Sequence, residues 1–210
     1  IDNLETAGIK NPTEIQVHSI PPILEGKDVI GKAKTGTGKT LAYLLPMIKK
    51  INSEKRELQM LVLAPSRELS LQILREAEVV VKDSNIIVMS LLEGMDINRQ
   101  LDKLKDKPQL IIATPGRLLH IIGLRKIKMH EIKMIAIDEV DQMLKQGLQE
   151  KVQAVVGTTL KDRQLVSFSA TLSKEALEIL ETLMKTPKYI SLDNAKPVPS
   201  KIEHNYIVST

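Results

Sequence analysis

The sequence predicts an α/β domain, doubly wound, with a mostly parallel central sheet and helices on both faces. Two observations carry this reading. Short apolar runs alternate with amphipathic stretches along most of the 210 residues, the order in which strand–helix–strand units are built. Most of the runs are continuously apolar, as strands covered on both faces must be. A hydrophobic fraction of 42% supplies a sizeable core and excludes a disordered chain.

The elements follow in order. A first strand is expected over 28–32, and a Gly- and Thr-rich segment then leads into a helix over 39–51. Further strands are expected over 60–64, 86–91, 110–113, 134–138, 164–169 and 189–192. Between them the amphipathic stretches predict helices over 67–81, 97–105, 117–122, 149–156 and 174–184. In the last of these, Leu177, Leu180, Leu183 and Met184 fall on one face. After Leu192 two prolines, Pro197 and Pro199, change the character of the chain. Residues 1–192 therefore read as one domain and 193–210 as the start of a linker.

Composition excludes several functions. There are no cysteines, which removes disulfides, thiolate metal sites and Cys nucleophiles. No stretch free of Asp, Glu, Lys and Arg exceeds ten residues, and a spanning helix needs roughly 20, so no membrane association is expected. The N-terminus lacks the basic flank and apolar block of a secretory signal. A cytoplasmic location follows, or a nuclear or nucleolar one in a eukaryote. The four histidines, His18, His120, His130 and His204, show no ligand spacing. The net charge of +4 is compatible with nucleic acid. Aromatic residues are confined to Tyr43, Tyr189, Tyr206 and Phe168, too few for a platform that stacks successive bases. Any nucleic acid would be gripped by its backbone.

The strongest chemical signal is the segment Ala33, Lys34, Thr35, Gly36, Thr37, Gly38, Lys39, Thr40, between a predicted strand and a predicted helix. A loop of this kind turns its amides toward phosphate at a helix N-terminus. Lys39 would reach the outer phosphates and the Thr40 hydroxyl would coordinate Mg²⁺. The strict pattern asks for Gly at position 33, where Ala is small enough to serve. Such a loop needs an acid to hold the metal. Asp138 ends an apolar strand, followed by Glu139 and Asp141; one carboxylate would hold Mg²⁺ through water and the next would orient the attacking water. Alone, these acids are equally a helix start.

With these residues in place, the chain resembles the DEAD-box ATP-dependent RNA helicases. Asp138-Glu139-Val140-Asp141 is similar to the signature that names the family, with Val for Ala. The segment from Gly8 to Gln16 resembles the family's adenine-reading Q motif. Pro65-Ser66-Arg67-Glu68-Leu69, Thr114-Pro115-Gly116-Arg117 and Ser169-Ala170-Thr171 resemble three further motifs, in the family's order. The resemblance implies a RecA-like P-loop domain that binds ATP or ADP with Mg²⁺, with Lys39, Asp138, Glu139 and Asp141 as catalytic residues. It implies that Gln16 reads the adenine edge and that Ile9, where the family usually has an aromatic, packs on the base. Pro65, Ser66, Arg67, Gly94, Thr114, Pro115, Gly116 and Arg117 would contact RNA through its backbone, without reading sequence. Glu93 stands where the family often has a first glycine and adds negative charge to that path. Ser169 and Thr171 would couple nucleotide state to domain closure, with hydroxyls that pair with Asp141.

The family's second RecA-like domain supplies arginine fingers, and no match to that motif occurs in this sequence. The expectation is a first domain that binds nucleotide, hydrolyses it hardly at all by itself, and belongs to a protein that unwinds short RNA duplexes or remodels RNA–protein complexes. The alternatives are an ATP-gated RNA clamp with slow turnover and a P-loop motor that acts on DNA.

Overall fold

The computed structural model describes residues 8–192. Its elements run α1 (Glu14–Leu24), β1 (Val29–Lys32), α2 (Lys39–Lys50), β2 (Met60–Leu63), α3 (Arg67–Val81), β3 (Val88–Leu91), α4 (Ile97–Leu104) and β4 (Leu110–Ala113). Then come α5 (Pro115–Gly123), β5 (Met134–Asp138), α6 (Val140–Lys145), α7 (Gln149–Gly157), β6 (Gln164–Ser169), α8 (Lys174–Leu183) and β7 (Lys188–Ser191). A single 3₁₀ turn, Met129–Glu131, precedes β5. The linker expected over 193–210 lies outside the described residues.

The strands form one seven-stranded sheet in the order β3-β4-β2-β5-β6-β1-β7. Every pairing is parallel, so the sheet is fully rather than mostly parallel among the described residues. The period-2 alternation of a strand divides the apolar runs between two cores. Leu61, Leu63, Ile111, Ala113, Ile135 and Ile137 face one cluster, with Leu118, Val140, Met143, Val155 and Leu180 from the helices after β4. Met60, Val62, Leu110, Ile112, Met134 and Ala136 face the other, with Ile15, Tyr43, Leu44, Met47 and Ile73 from α1, α2 and α3. Continuous apolar sequence is thus the signature of a sheet with helices on both sides.

Differences from expectation have local causes. The helix α1 was not anticipated, because Pro21 and Pro22 lie within it and each removes a ladder donor. It forms because Ile15 and Ile23 are fully buried, and the Thr13 N–H donates to Gln16 Oε1 at 3.0 Å to close its first turn. Asp28 stands just outside β1, with its carboxylate accepting from the amides of Leu165 and Lys185, each at 2.7 Å. The helix expected over 117–122 starts two residues earlier, with Pro115 in the first turn, where its missing N–H costs nothing.

Within the sheet, Gly31 pairs with Phe168. Phe168 is fully buried and tilted 41° against Tyr43, with ring centroids 5.8 Å apart. A methyl group on Gly31 would collide with that ring. Gly31→Ala is therefore expected to cost about 1–3 kcal/mol of stability by overpacking, read as an earlier urea midpoint. Phe168→Leu in the same chain should return part of the loss; an unaltered midpoint in Gly31→Ala would show that the ring yields freely.

Candidate functional site

A parallel sheet places all strand carboxyl ends on one edge, and ligands of open α/β sheets bind there. The strand order makes β5, β6 and β1 neighbours at this edge. The segment 33–40 leaves β1, Glu139 leaves β5 and Ala170 leaves β6, so three distant stretches converge.

At their centre is Lys39, 7% exposed. Its ammonium donates to the Ala33 carbonyl at 2.9 Å and to Glu139 Oε1 at 2.8 Å. An ammonium has three donors, and two are used here. Glu139 Oε2 accepts from the Ser169 hydroxyl and the Ala170 amide, both at 3.2 Å. The Glu139 backbone is left-handed, at φ 52° and ψ 53°, a conformation that costs a non-glycine residue of order 1 kcal/mol. It is held by its backbone N–H, which donates a hydrogen bond to the Phe168 carbonyl at 2.8 Å, and by the contacts on both carboxylate oxygens.

Asp138 is buried and asymmetric. Its Oδ2 accepts from the Tyr43 hydroxyl at 2.8 Å. Its Oδ1 is buried without a hydrogen-bond partner. Burial pushes its carboxyl up to about 7; the charge of Glu139 adds to this, and the Tyr43 hydrogen bond, Lys39 and the Glu139 amide oppose it, though that amide makes its hydrogen bond to the Phe168 carbonyl and leaves Oδ1 unpartnered. Tyr43 is itself raised well above the usual phenol range, by burial first and then by Asp138. The Thr40 hydroxyl lies near both the Tyr43 oxygen and the Glu76 carboxylate of α3, with one proton to give to either.

The loop itself is compact. Thr37 Oγ1 donates to the Lys34 carbonyl at 2.7 Å, while Lys34, Thr35 and Gly36 are exposed at its crest. Gly38 begins α2 at φ 87°, and a Cβ there would lie 2.5 Å from Gln16 Nε2 and 3.0 Å from Thr13 Oγ1. Gln16 donates from Nε2 to the Gly38 carbonyl at 3.0 Å, so α1 is tied directly to the loop. Ile9 lies exposed.

One sequence expectation is redirected. Ser169 pairs with Glu139 and not with Asp141, because the β5–β6 register sets Asp138 against Phe168 and so puts the next residue of each strand side by side. Asp141 Oδ1 instead accepts from the Ser173 amide and hydroxyl, both at 3.1 Å. Burial raises its carboxyl, but hydrogen bonds from Thr171 and Ser173 outweigh this and leave it below the usual range.

The other half of the edge, β3-β4-β2, gathers the remaining candidates. Ser66 caps α3 by accepting from the Leu69 amide at 3.2 Å, and Arg67 is exposed beside Gly94. Pro65 and Thr114 are buried, and the Thr114 hydroxyl has no hydrogen-bond partner. Arg117 donates to the Met95 carbonyl at 2.9 Å. The Glu93 carboxylate lies against Gly116, where a methyl group would collide with it.

Sequence reasoning missed Tyr43, Glu76 and Ser173. Tyr43 carried a usable signal, since it stands three residues after Thr40 and four after Lys39, on the same helical face. Glu76 and Ser173 carried none, because only the tertiary fold brings them in.

The donor set suits a nucleotide with a divalent cation. Among the described residues no cluster of three His, Asp or Glu side chains could hold a metal alone. Mg²⁺ characteristically takes one or two carboxylates together with phosphates and waters, and Asp138 offers an unpartnered oxygen beside the loop.

Comparison with known proteins agrees in kind. The DEAD/DEAH box helicase model matches residues 13–179. The chain is 48% identical over 204 residues to the DEAD-box ATP-dependent RNA helicase CshC of Bacillus cereus, covering 97% of this chain and 52% of that protein. It is 40% identical over 207 residues to the probable ATP-dependent RNA helicase YfmL of Bacillus subtilis, covering 99% and 55%. The crystal structure of a DEAD box protein from the hyperthermophile Methanococcus jannaschii superposes with a TM-score of 0.87 at 28% identity, covering 90% of this chain and 52% of that one. The chain spans about half the length of these relatives.

A buried carboxyl raised to about 7 makes stability depend on pH. The unfolded aspartate titrates near 3.8, so the folded chain binds the proton more tightly. This group's contribution is favourable at low pH, falls as pH rises through that window, and is lost above about 7. Asp138→Asn keeps an acceptor for Tyr43 and removes the charge. Without nucleotide or cation it is expected to be more stable than the parent chain at pH 8, by on the order of 2 kcal/mol. The advantage should shrink toward pH 5, measured by thermal unfolding at both values.

Proposed function

The chain belongs to the DEAD/DEAH box helicase family, and from that premise we propose that residues 1–192 are the first RecA-like domain of an ATP-dependent RNA helicase, with 193–210 leading toward a second. The observation that carries this reading is the bridge made by Lys39 between the Ala33 carbonyl and Glu139, with the unpartnered oxygen of Asp138 beside it.

In this reading Lys39 turns its third donor to the outer phosphates of ATP, and the amides of 34–40 surround them at the N-terminus of α2. Thr40 and Asp138 hold Mg²⁺, Asp138 through water. When bound, the cation neutralises charge on the phosphate oxygens. Glu139 keeps one lone pair free, on Oε1, since Oε2 already accepts from Ser169 and Ala170, and orients the attacking water through it. Ser169 and the Ala170 amide keep its carboxylate at that position, while Thr171 and Ser173 hold Asp141. These are the contacts through which closure of a second domain would be sensed. Gln16, fixed between Thr13 and Gly38, retains one N–H and one lone pair for adenine, and Ile9 lies on the base.

Arg67 and Arg117, with Pro65, Ser66, Gly94, Thr114, Pro115 and Gly116, form the track for an RNA backbone. Such contacts position a strand without reading it. The whole protein then separates short RNA duplexes or remodels RNA–protein complexes in the cytoplasm. An arginine finger is worth about 10³–10⁵ in rate in related enzymes, and no such motif occurs in this stretch. The 210-residue chain by itself is therefore proposed to bind nucleotide but turn it over only feebly.

Calorimetric titration tests the nucleotide reading. Mg-ADP is expected to bind and Mg-GDP to bind at least about tenfold more weakly, with the difference lost in Gln16→Ala. Equal binding of the two by the parent chain would remove Gln16 as the adenine reader. The RNA track is tested by anisotropy on a labelled single strand at low salt. Arg117→Ala should weaken binding, and Glu93→Gln should tighten it by roughly threefold, since a carboxylate beside the phosphate path is removed. No change in either variant would place the RNA elsewhere.

A further inference from the structure

Tyr43 lies outside every motif that suggested the site, yet it is the residue on which the site's two cation-facing groups meet. It is fully buried, 0% exposed, with its ring against Phe168. If its role were only to fill volume, phenylalanine would serve, and the hydroxyl would be a polar group buried for no gain. The hydroxyl has partners on both sides. It donates to Asp138 Oδ2 at 2.8 Å, and its oxygen also lies near the Thr40 hydroxyl, whose one proton serves either Tyr43 or the Glu76 carboxylate. The resulting row, Glu76, Thr40, Tyr43 and Asp138, joins α3, α2 and β5.

A carboxylate has two equivalent oxygens and a soft final torsion. Tying Oδ2 to a rigid aromatic hydroxyl fixes where Oδ1 stands, and Oδ1 is the oxygen with no protein partner. The hydroxyl of Thr40, one helical turn before Tyr43, is oriented by the same group. We propose that Tyr43 is a positioning residue for the divalent cation, its phenol fixing Asp138 Oδ1 and the Thr40 hydroxyl in one arrangement before any ligand arrives. This rests on the reading of Thr40 and Asp138 as the groups that hold Mg²⁺.

The test is the Mg²⁺ dependence of nucleotide affinity, which does not require turnover. ADP and ATP are titrated calorimetrically into the 210-residue chain and its Tyr43→Phe variant, once with Mg²⁺ and once with EDTA, with thermal unfolding of both followed in parallel. Phenylalanine preserves the ring packing, so the variant should fold. Its affinity in EDTA should match the parent chain, and the gain conferred by Mg²⁺ should fall about tenfold. A variant that keeps the full gain overturns the proposal. A variant that loses equal affinity with Mg²⁺ and EDTA also overturns it, since that is the mark of a structural role alone. A parent chain with no Mg²⁺ gain overturns the reading of Thr40 and Asp138, and this inference with it.

Discussion

Everything at the site depends on one constraint, that the strands are parallel and so end on a common edge. Short segments far apart in sequence therefore meet there. Lys39 and Glu139 are 100 residues apart and 2.8 Å from each other, because β6 alone stands between the strands that carry them. The order β3-β4-β2-β5-β6-β1-β7 also sorts the chemistry. Strands β5, β6 and β1 deliver the loop, the carboxylates and Ser169, while β3, β4 and β2 deliver Gly94, Arg117 and Arg67. A sheet with the same strands in sequential order would set β2, β3 and β4 between the loop after β1 and the groups that leave β5 and β6.

The cost of that convergence is visible in the burial of charge. A desolvated ion pair returns its penalty only when the remaining donors and acceptors are met. Around Lys39 and Glu139 they largely are, by the Ala33 carbonyl, the Ser169 hydroxyl and the Ala170 amide. Asp138 is the exception, with one oxygen unmet and a carboxyl that favours its proton. The left-handed Glu139 backbone adds strain at the same place. A stretch that departs from its most stable form at two adjacent residues, while two cores elsewhere are closely packed, is what a binding site looks like in energetic terms.

Most of the fold was legible because a parallel sheet writes itself as apolar runs, and the strands at 110–113, 134–138 and 164–169 match expectation to the residue. What escaped had opposing local signals. The prolines of α1 concealed a helix that tertiary burial of Ile15 and Ile23 stabilises. The helix α6 has six residues, too few for its periodicity to register. At the site, the loop and the acids were legible because phosphate and metal chemistry demand residue types at fixed spacing. The partner of Ser169 was not, since it follows from strand register. In composition Tyr43 is only one of four scattered aromatics, although its spacing from Lys39 and Thr40 places all three on one face of α2.

The position of Gln16 shows how the two kinds of information combine. As a sequence feature it is an amide near the start of a helix, and capping alone explains it: Oε1 accepts from the Thr13 amide. The fold adds the second bond, from Nε2 to the Gly38 carbonyl, which makes the cap of α1 and the first turn of α2 one rigid unit. An amide has two donors and an acceptor oxygen with two lone pairs. One donor and one lone pair therefore remain after both structural bonds are made. A base edge that uses them breaks nothing already formed, so its recognition carries little reorganisation cost. Capping and the proposed recognition are then not competing accounts of Gln16, because the first leaves unused the groups that the second would take.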